Sequence, residues 1–235
     1  MVNQLSGKTA LVTGATSGIG RAAAEALHKA GVAVIGLDRS PSKGCVEIVE
    51  CNLAREGEIV SAVARAAERL GRIDILLNNA GVMEDSTIEH VTAEHIDWHF
   101  TVNVRAAILV TREALRYMGE GGRIINIASE LAYLGRAGAS VYCATKAAML
   151  GLTRSWAREL APRILVNAIA PGPTDTPLLA FDTMTSEEQA RETALPLGRI
   201  ARPEEIAAAI LFLAGPGSTY FTGQCLGANG GAVMP

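Results

Sequence analysis

Three side chains define the chemistry open to this chain: Ser129, Tyr142 and Lys146. Tyr142 and Lys146 are four residues apart, a spacing that stacks two side chains on one face of a helix. A phenol and an ammonium so placed address one point in space. A cation near a phenol favours the phenolate, and each unit of lowered pKa corresponds to about 1.4 kcal/mol. Bringing tyrosine from about 10 toward neutrality takes about two or three such units, which a close, partly desolvated lysine is expected to supply. Tyr142 would then serve as general acid/base for an alcohol/carbonyl pair. Alone, Y-x-x-x-K reads equally well as a solvated helix face, so the elements around it decide.

Those elements alternate. Thr9 to Thr13 is a short apolar strand running into Gly14-Ala-Thr-Ser-Gly18-Ile-Gly20; Ala22 to Ala30 continues as a helix with Gly31 as C-cap, and Val32 to Leu37 is a second strand closing at Asp38. A strand, a glycine-rich turn and a helix in that order suit a pyrophosphate. The glycines permit close backbone approach, and the free N–H groups of the helix start attract the anion. The acidic residue 18 positions after Gly20 supplies the context a lone glycine motif lacks. Only eight residues, Arg39 to Val46, precede the next strand at about Glu47 to Cys51. A helical crossover needs at least about ten, so a loop or single turn is expected there.

Glu56 to Leu70 reads as an amphipathic helix, and Ile73 to Asn78 as a buried strand ending in Asn78-Asn79-Ala80-Gly81. Thr92 caps a helix over Ala93 to Phe100, and Asn103 to Met118 continues helical. Arg123 to Ala128 is a strand delivering Ser129, Ser140 to Leu160 is the helix bearing Tyr142 and Lys146, and Ile164 to Ile169 leads to Pro171 and Gly172. Thr174 to Ile200 reads as a covering segment with a helix near Ser186 to Thr193; Pro203 opens a helix through Ala214, and Gln224 to Gly227 is a last strand. Strands alternating with helices imply an α/β, doubly wound parallel sheet with helices on both faces. Gly14 to Gly20, Asp38, Asn79, Ser129 and Pro171 to Thr176 all fall at carboxyl ends of strands, the side where such sheets bind ligands. With no repeat, linker or low-complexity tract, residues 1–235 read as one domain with a variable segment at about 174–200.

Composition narrows the function classes. Apolar residues make up 49% and charged residues 19%, enough for a large core, while a net charge of −3 without a basic cluster argues against nucleic acid or an anionic membrane as partner. Cys45, Cys51, Cys143 and Cys225 follow neither a disulfide nor a metal spacing, and no metal is expected. They fit a reducing compartment, with Cys143 packing its helix. His95 and His99 are four apart on a helix but have no third ligand in view. Met1 to Lys8 has no signal-peptide core and Ile206 to Ala214, the longest apolar run, is too short for a membrane span, so a soluble cytoplasmic protein is expected.

With these residues in hand, the chain resembles the short-chain dehydrogenase/reductase family, from Thr13 to the C-terminal Gly227-Ala-Asn-Gly-Gly. The likeness rests on T-G-x-x-x-G-x-G (Thr13 to Gly20), N-N-A-G (Asn78 to Gly81), Asn103, Ser129, Y-x-x-x-K (Tyr142, Lys146) and P-G-x-x-x-T (Pro171, Gly172, Thr176). It implies a Rossmann-type fold in which Tyr142 exchanges the proton, Lys146 depresses its pKa and holds the nicotinamide ribose, Ser129 orients the reacting oxygen and Asn103 supports a water leading to a proton relay. Gly14, Ser17, Gly18, Ile19 and Gly20 would approach the diphosphate and ribose, Asn79 the adenosine, and Pro171, Gly172, Thr174 and Thr176 the nicotinamide end. Asn52 and Leu53 stand at the adenine pocket, where the family usually has an aspartate and a small apolar residue, and Asn52 can still accept from the adenine amino group. The resemblance also implies a homotetramer built on the Asn103 and Tyr142 helices, which carry small residues expected to face outward: Ala106, Ala107, Ala114, Ala148, Gly151 and Ser155.

The expected function is an NAD(H)-dependent oxidoreductase interconverting a secondary alcohol and a ketone, with a small-molecule substrate. Asp38, at the end of the second strand, can accept from both ribose hydroxyls and would repel a 2′-phosphate, which makes NAD the expected cofactor. Arg39 supports the alternative, an NADPH-dependent ketoreductase of 3-oxoacyl thioester type. A non-catalytic dinucleotide-binding module is the reading from another class, and the Asn103, Ser129, Tyr142, Lys146 set speaks against it. Glu130 directly follows Ser129. It is expected as a salt-bridged surface residue, the alternative being a carboxylate that selects a polar or cationic substrate. Leu131, Ala132 and Leu134 suggest an apolar wall.

Overall fold

The computed structural model describes residues 5–40 and 44–234. Seven strands form one all-parallel sheet: β1 Thr9–Thr13, β2 Ala33–Asp38, β3 Glu47–Glu50, β4 Ile75–Asn78, β5 Gly122–Ile127, β6 Ile164–Ile169 and β7 Cys225–Leu226. Their order is β3-β2-β1-β4-β5-β6-β7, so the winding reverses between β1 and β4 and opens a crevice at their carboxyl ends. Strand side chains divide by the two-residue period. Leu11, Leu76, Ile124 and Val166 pack with helices α2 (Glu56–Leu70), α4 (Ala106–Ala114) and α6 (Ser140–Leu160), while Ala10, Val12, Ile75, Leu77 and Ile125 pack with α1 (Gly18–Lys29) and α8 (Pro203–Ala214). Each fully buried Leu or Ile contributes about 1.5–3 kcal/mol by leaving water.

Several elements have the expected bounds, among them α2, α3 (Ala93–Phe100), α6, β6 and α7 (Ser186–Thr193). Local chemistry explains two of them: Thr92 Oγ1 accepts from His95 N, and Thr185 with Glu188 closes a capping box ahead of α7. The helix expected over Asn103 to Met118 is divided. A π-helical turn, Thr101–Arg105, links α3 to α4 and carries Asn103, and a 3₁₀ turn, Leu115–Tyr117, follows α4. A short helix not anticipated from the sequence, α5 (Leu131–Leu134), follows Ser129. Between β2 and β3 the described residues carry no helix, and residues 41–43 of that crossover lie outside the described residues, as do 1–4 of the N-terminus. Two of the small residues expected on the outer surface are corrected. Ala106 and Ala114 are buried against the sheet, because the stripe of α4 that faces the core passes through them, whereas Gly151 and Ser155 are exposed and Ala107 and Ala148 half-buried.

One buried polar chain ties sheet to helices behind the crevice. Asn78 Nδ2 donates to Thr111 Oγ1 and to Asn126 Oδ1, each at 2.9 Å, and Asn126 Nδ2 donates to Thr153 Oγ1 at 2.9 Å. This cross-link spans α4, β4, β5 and α6. Among the described residues no helix is long and apolar enough to cross a membrane.

Candidate active site

A cleft of about 460 Å³ runs along the carboxyl ends of the strands, from Asp38, Asn52 and Leu53 past the glycine turn to Ser129, Tyr142 and Lys146. Gly14 has φ +67° and Gly18 φ +50°, conformations that L side chains rarely adopt. A Cβ at Gly20 would lie 2.0 Å from the Gly14 carbonyl oxygen, so only glycine lets the start of α1 close on the end of β1. The turn is pinned from β4: Asn79 Nδ2 donates to the Thr13 and Gly14 carbonyls at 2.9 and 3.2 Å, and the Asn79 and Ala80 N–H groups both donate to Thr13 Oγ1. Asp38 Oδ2 accepts from Thr16 N and Oγ1 at 3.1 and 2.8 Å, and Oδ1 accepts from Arg39 N at 2.7 Å. A backbone cradle at a helix start with an oriented carboxylate at the next strand end fits a dinucleotide.

At the other end, α6 brings Tyr142 and Lys146 beneath Ser129. All three are buried, at 7%, 4% and 7% exposure respectively. Ser129 Oγ accepts from Leu131 N at 3.1 Å, which fixes the hydroxyl at the start of α5. Lys146 Nζ donates to the Ile127 carbonyl at 2.9 Å and lies 5.7 Å from the centre of the Tyr142 ring. Asn103 Oδ1 accepts from Val82 N, and its Nδ2 donates to Val82 O and Thr145 Oγ1. Thr145 in turn donates to the Tyr142 carbonyl at 2.7 Å, so Asn103 clamps the loop after β4 to the helix turn that holds the phenol. A Cβ on Gly81 would lie 3.4 Å from Asn103 Oδ1 and 3.5 Å from Lys146 Nζ, which places both groups over one bare stretch of backbone.

The electrostatics correct one expectation. Burial pushes the Tyr142 phenol up to about 12, the carboxylate of Glu130 and the Cys143 thiol push the same way, and only the Ser129 hydroxyl and Arg136 oppose them. Burial likewise pushes Lys146 down to about 8. Lys146 therefore does not bring the phenol toward neutrality, because its ammonium is turned to the Ile127 carbonyl and is itself desolvated. The protein's own groups keep Tyr142 protonated, a proton donor next to a second hydroxyl.

Glu130 is the second correction. It is not a surface residue: it is 7% exposed, lines the cleft, makes no ion pair among the described residues, and its Oε2 is buried without a hydrogen-bond partner. Burial and the Glu192 carboxylate push it up to about 8. The backbone explains this placement, since Glu130 N donates to the Pro171 carbonyl, anchoring the residue between β5 and the Pro171–Gly172 turn.

Of the residues singled out from the sequence, Gly14, Ser17, Gly18, Ile19, Asp38, Asn52, Leu53, Asn79, Ser129, Tyr142, Lys146, Pro171, Gly172, Thr174 and Thr176 line the cleft; Gly20 and Asn103 stand behind it. Asn52 Oδ1 already accepts from Ala54 N at 3.0 Å, and Thr174 Oγ1 donates to the Gly172 carbonyl at 2.9 Å. His99 is fully buried with both ring nitrogens engaged, Nε2 by Glu84 N and Nδ1 by the His95 carbonyl. Sequence reasoning missed Trp98, Arg136 and Glu192, which also line the cleft. No motif marks them; Glu192 is the one buried residue of an otherwise polar α7.

A doubly wound sheet with a glycine cradle and a Ser-Tyr-Lys set on one rim is the architecture of a dinucleotide-dependent oxidoreductase. Residues 14–233 match the family model described as Enoyl-(Acyl carrier protein) reductase. The chain is 39% identical to the 3-oxoacyl-(acyl-carrier-protein) reductase of Thermotoga maritima, covering 98% of this chain and 100% of that one. A short-chain dehydrogenase from Burkholderia cenocepacia in complex with NADP superposes with a TM-score of 0.91 at 35% identity, covering 98% of this chain and 99% of that one. A blue fluorescent protein from a metagenomic library in complex with NADPH superposes with a TM-score of 0.92 at 34% identity, covering 99% and 100%. The chain belongs to the short-chain dehydrogenase/reductase family.

Proposed function

We propose that this protein is a ketoreductase, reducing a ketone to a secondary alcohol where Ser129, Tyr142 and Lys146 meet. The observation that carries the reading is the buried Tyr142 phenol opening on the same cleft as the Ser129 hydroxyl and Lys146. The name of the Thermotoga relative also favours ketone reduction over alcohol oxidation, with which the sequence reading began. When bound, a nicotinamide dinucleotide supplies the hydride. The chain's own residues do the rest. Ser129 donates to the carbonyl oxygen and holds it beside Tyr142, which gives its proton to the oxygen as charge develops there. That proton transfer is worth about 100-fold or more. Lys146 keeps its ammonium on the Ile127 carbonyl, 5.7 Å from the centre of the Tyr142 ring, and Asn103, through Thr145, holds the helix turn carrying the phenol. Gly14 to Gly20 would hold the diphosphate, Asp38 the adenosine ribose, Lys146 the nicotinamide ribose, and Pro171, Gly172, Thr174 and Thr176 the carboxamide end.

Two finer points have competing support. The orientation of Asp38 supports NAD(H), because a 2′-phosphate would sit against a carboxylate, a repulsion of about 1 kcal/mol or more at 4 Å. The neighbours in complex with NADP and NADPH, and Arg39 at the same end of the cleft, favour NADP(H). For the substrate, the Thermotoga name favours a 3-oxoacyl thioester. Simple ketones and an acetoacetyl thioester, each with NADH and NADPH and followed at the nicotinamide absorbance, test all three points. Consumption of none of them refutes the ketoreductase reading and leaves a binding module; a preference for NADPH refutes the reading of Asp38. We also propose a homotetramer paired through α4 and α6, where Ala107, Ala148, Gly151 and Ser155 allow close helix approach. A monomer mass by light scattering would refute it.

A further inference from the structure

The substrate end of the cleft holds a charge cluster that the reduction itself does not use. Glu130, Arg136 and Glu192 line it together with Trp98 and Met83. Arg136, the cation within the cluster, is already committed. It donates to both carboxylate oxygens of Asp85 at 2.6 and 2.8 Å, and its other terminal nitrogen is 3.6 Å from Glu192 Oε1. Among the described residues, the only further ion-pair partner of Glu192 is Arg191, at 3.8 Å and well exposed. Asp85 and Glu192 thus share the Arg136 guanidinium, Glu192 has Arg191 outside the cleft, and Glu130 makes no ion pair among the described residues. Its Oε2 is buried with no donor against it, in a position one residue from the hydroxyl that orients the reacting oxygen.

A buried carboxyl stripped of water and left without a partner is costly to keep, unless a ligand completes it. A neutral acyl chain offers nothing to complete it. A protonated amine offers N–H donors and a positive charge that favours the ionised carboxylate, the Glu130 proton leaving to solvent as the amine binds, and Trp98, which lines the same cleft, is of the residue type that attracts ammonium groups.

Resting on the ketoreductase reading, we propose that Glu130, backed by Glu192, binds a protonated amino group of the substrate, so that this enzyme acts on amino ketones and amino alcohols whose nitrogen lies close to the reacting carbon. Glu130 is then the specificity determinant of the pocket, and this chain departs in substrate from the relatives it resembles in fold.

The test compares isosteric pairs in which CH₂–NH₃⁺ replaces CH₂–CH₃. With aminoacetone and butanone at pH 7, the wild-type protein is expected to favour the amine in kcat/KM by about tenfold or more, mostly through KM, and Glu130→Gln to reduce that ratio to about threefold or less. Glu192→Gln, which removes the neighbouring charge but leaves Glu130 in place, lowers the ratio by a smaller factor and serves if Glu130→Gln does not fold. Equilibrium titration of the NADH complex with 1-amino-2-propanol and with 2-butanol reads the same preference without turnover. An equal or reversed preference in the wild type, or one that survives unchanged in the variants, overturns the proposal. If neither ketone is reduced but the amino alcohol binds in preference and loses that preference in Glu130→Gln, the binding site stands and the ketoreductase reading fails.

Discussion

Glu130→Gln should make the protein less sensitive to alkaline pH, and the size of the effect follows from the site. The Glu130 carboxyl is pushed from 4.5 up to about 8 by burial, by the Glu192 carboxylate beside it and against the weaker pull of Arg136, with Tyr142 the other titratable group it acts on. Below about pH 4.5 the folded and unfolded chains both carry the proton. Above it the unfolded chain loses the proton first, so folding becomes less favourable as pH rises, until about pH 8, where the folded protein holds a buried charge. At about 1.4 kcal/mol per unit the full shift sets a ceiling near 5 kcal/mol, and relaxation of the cleft reduces what is realised to about 2–4 kcal/mol. For a chain of this size that is about 4–16 °C in Tm. Glutamine keeps the volume but cannot ionise. Its unpaired amide costs the same at every pH, so the comparison is a difference of differences. Relative to wild type, Glu130→Gln should gain several degrees in Tm between pH 5 and pH 9, measured by calorimetry or dye-based melting. Parallel Tm–pH curves would refute the account of a buried, ionisable Glu130.

Other perturbations reach the remaining parts of the cleft. Tyr142→Phe keeps the ring and its packing but lacks the proton, so turnover should fall about 100-fold or more while NADH binding, followed by fluorescence titration, stays within about twofold. Asp38→Ser should erode the ratio of kcat/KM for NADH over NADPH, expected at about tenfold in the wild type, by removing the carboxylate that faces the ribose; an unchanged ratio would show that Asp38 does not read it. Gly20→Ala places a methyl 2.0 Å from the Gly14 carbonyl oxygen and should abolish dinucleotide binding before it unfolds the protein, as read by titration and circular dichroism together. Asn126→Val leaves Asn78 Nδ2 short of one acceptor and Thr153 of one donor, and should cost about 1–3 kcal/mol in denaturant unfolding.

Much of the fold was legible because it rests on local patterns. Buried parallel strands read as apolar runs, Thr92 as a cap and Pro203 as a first helical residue mark helix starts, and Gly14 to Gly20 announces the turn between β1 and α1. The Ser129, Tyr142 and Lys146 set was legible for the same reason: a strand end and a four-residue helical spacing bring it together. What escaped depends on three-dimensional placement. Glu130 looks like any surface Glu in sequence, and its placement comes from the Pro171 carbonyl that fixes its backbone, while α7 brings the Glu192 carboxylate into the same cleft. The direction of the Tyr142 shift was misjudged because spacing shows that Lys146 is near, but not that its ammonium turns to Ile127. Ala106 and Ala114 of α4 were placed on the wrong side because their small size suits both the sheet and a neighbouring helix.

The segment over the substrate end has a base of its own. Thr174 and Ala201 form a single parallel rung, with Asp175 N donating to the Ala201 carbonyl at 2.9 Å and Ala201 N to the Pro173 carbonyl at 2.8 Å. Everything from Asp175 to Ile200, including α7 and Glu192, hangs from that rung as a closed loop whose two ends are already joined. Doubling the length of such a loop costs only about 0.6 kcal/mol in closure entropy, since the expensive step, bringing the ends together, is made by the rung. The sheet and the Tyr142 helix need not change when the loop does. The segment is therefore an exchangeable cassette: its contents can be replaced between Thr176 and Ala201, retuning which molecules are admitted while the proton donor beneath stays in place.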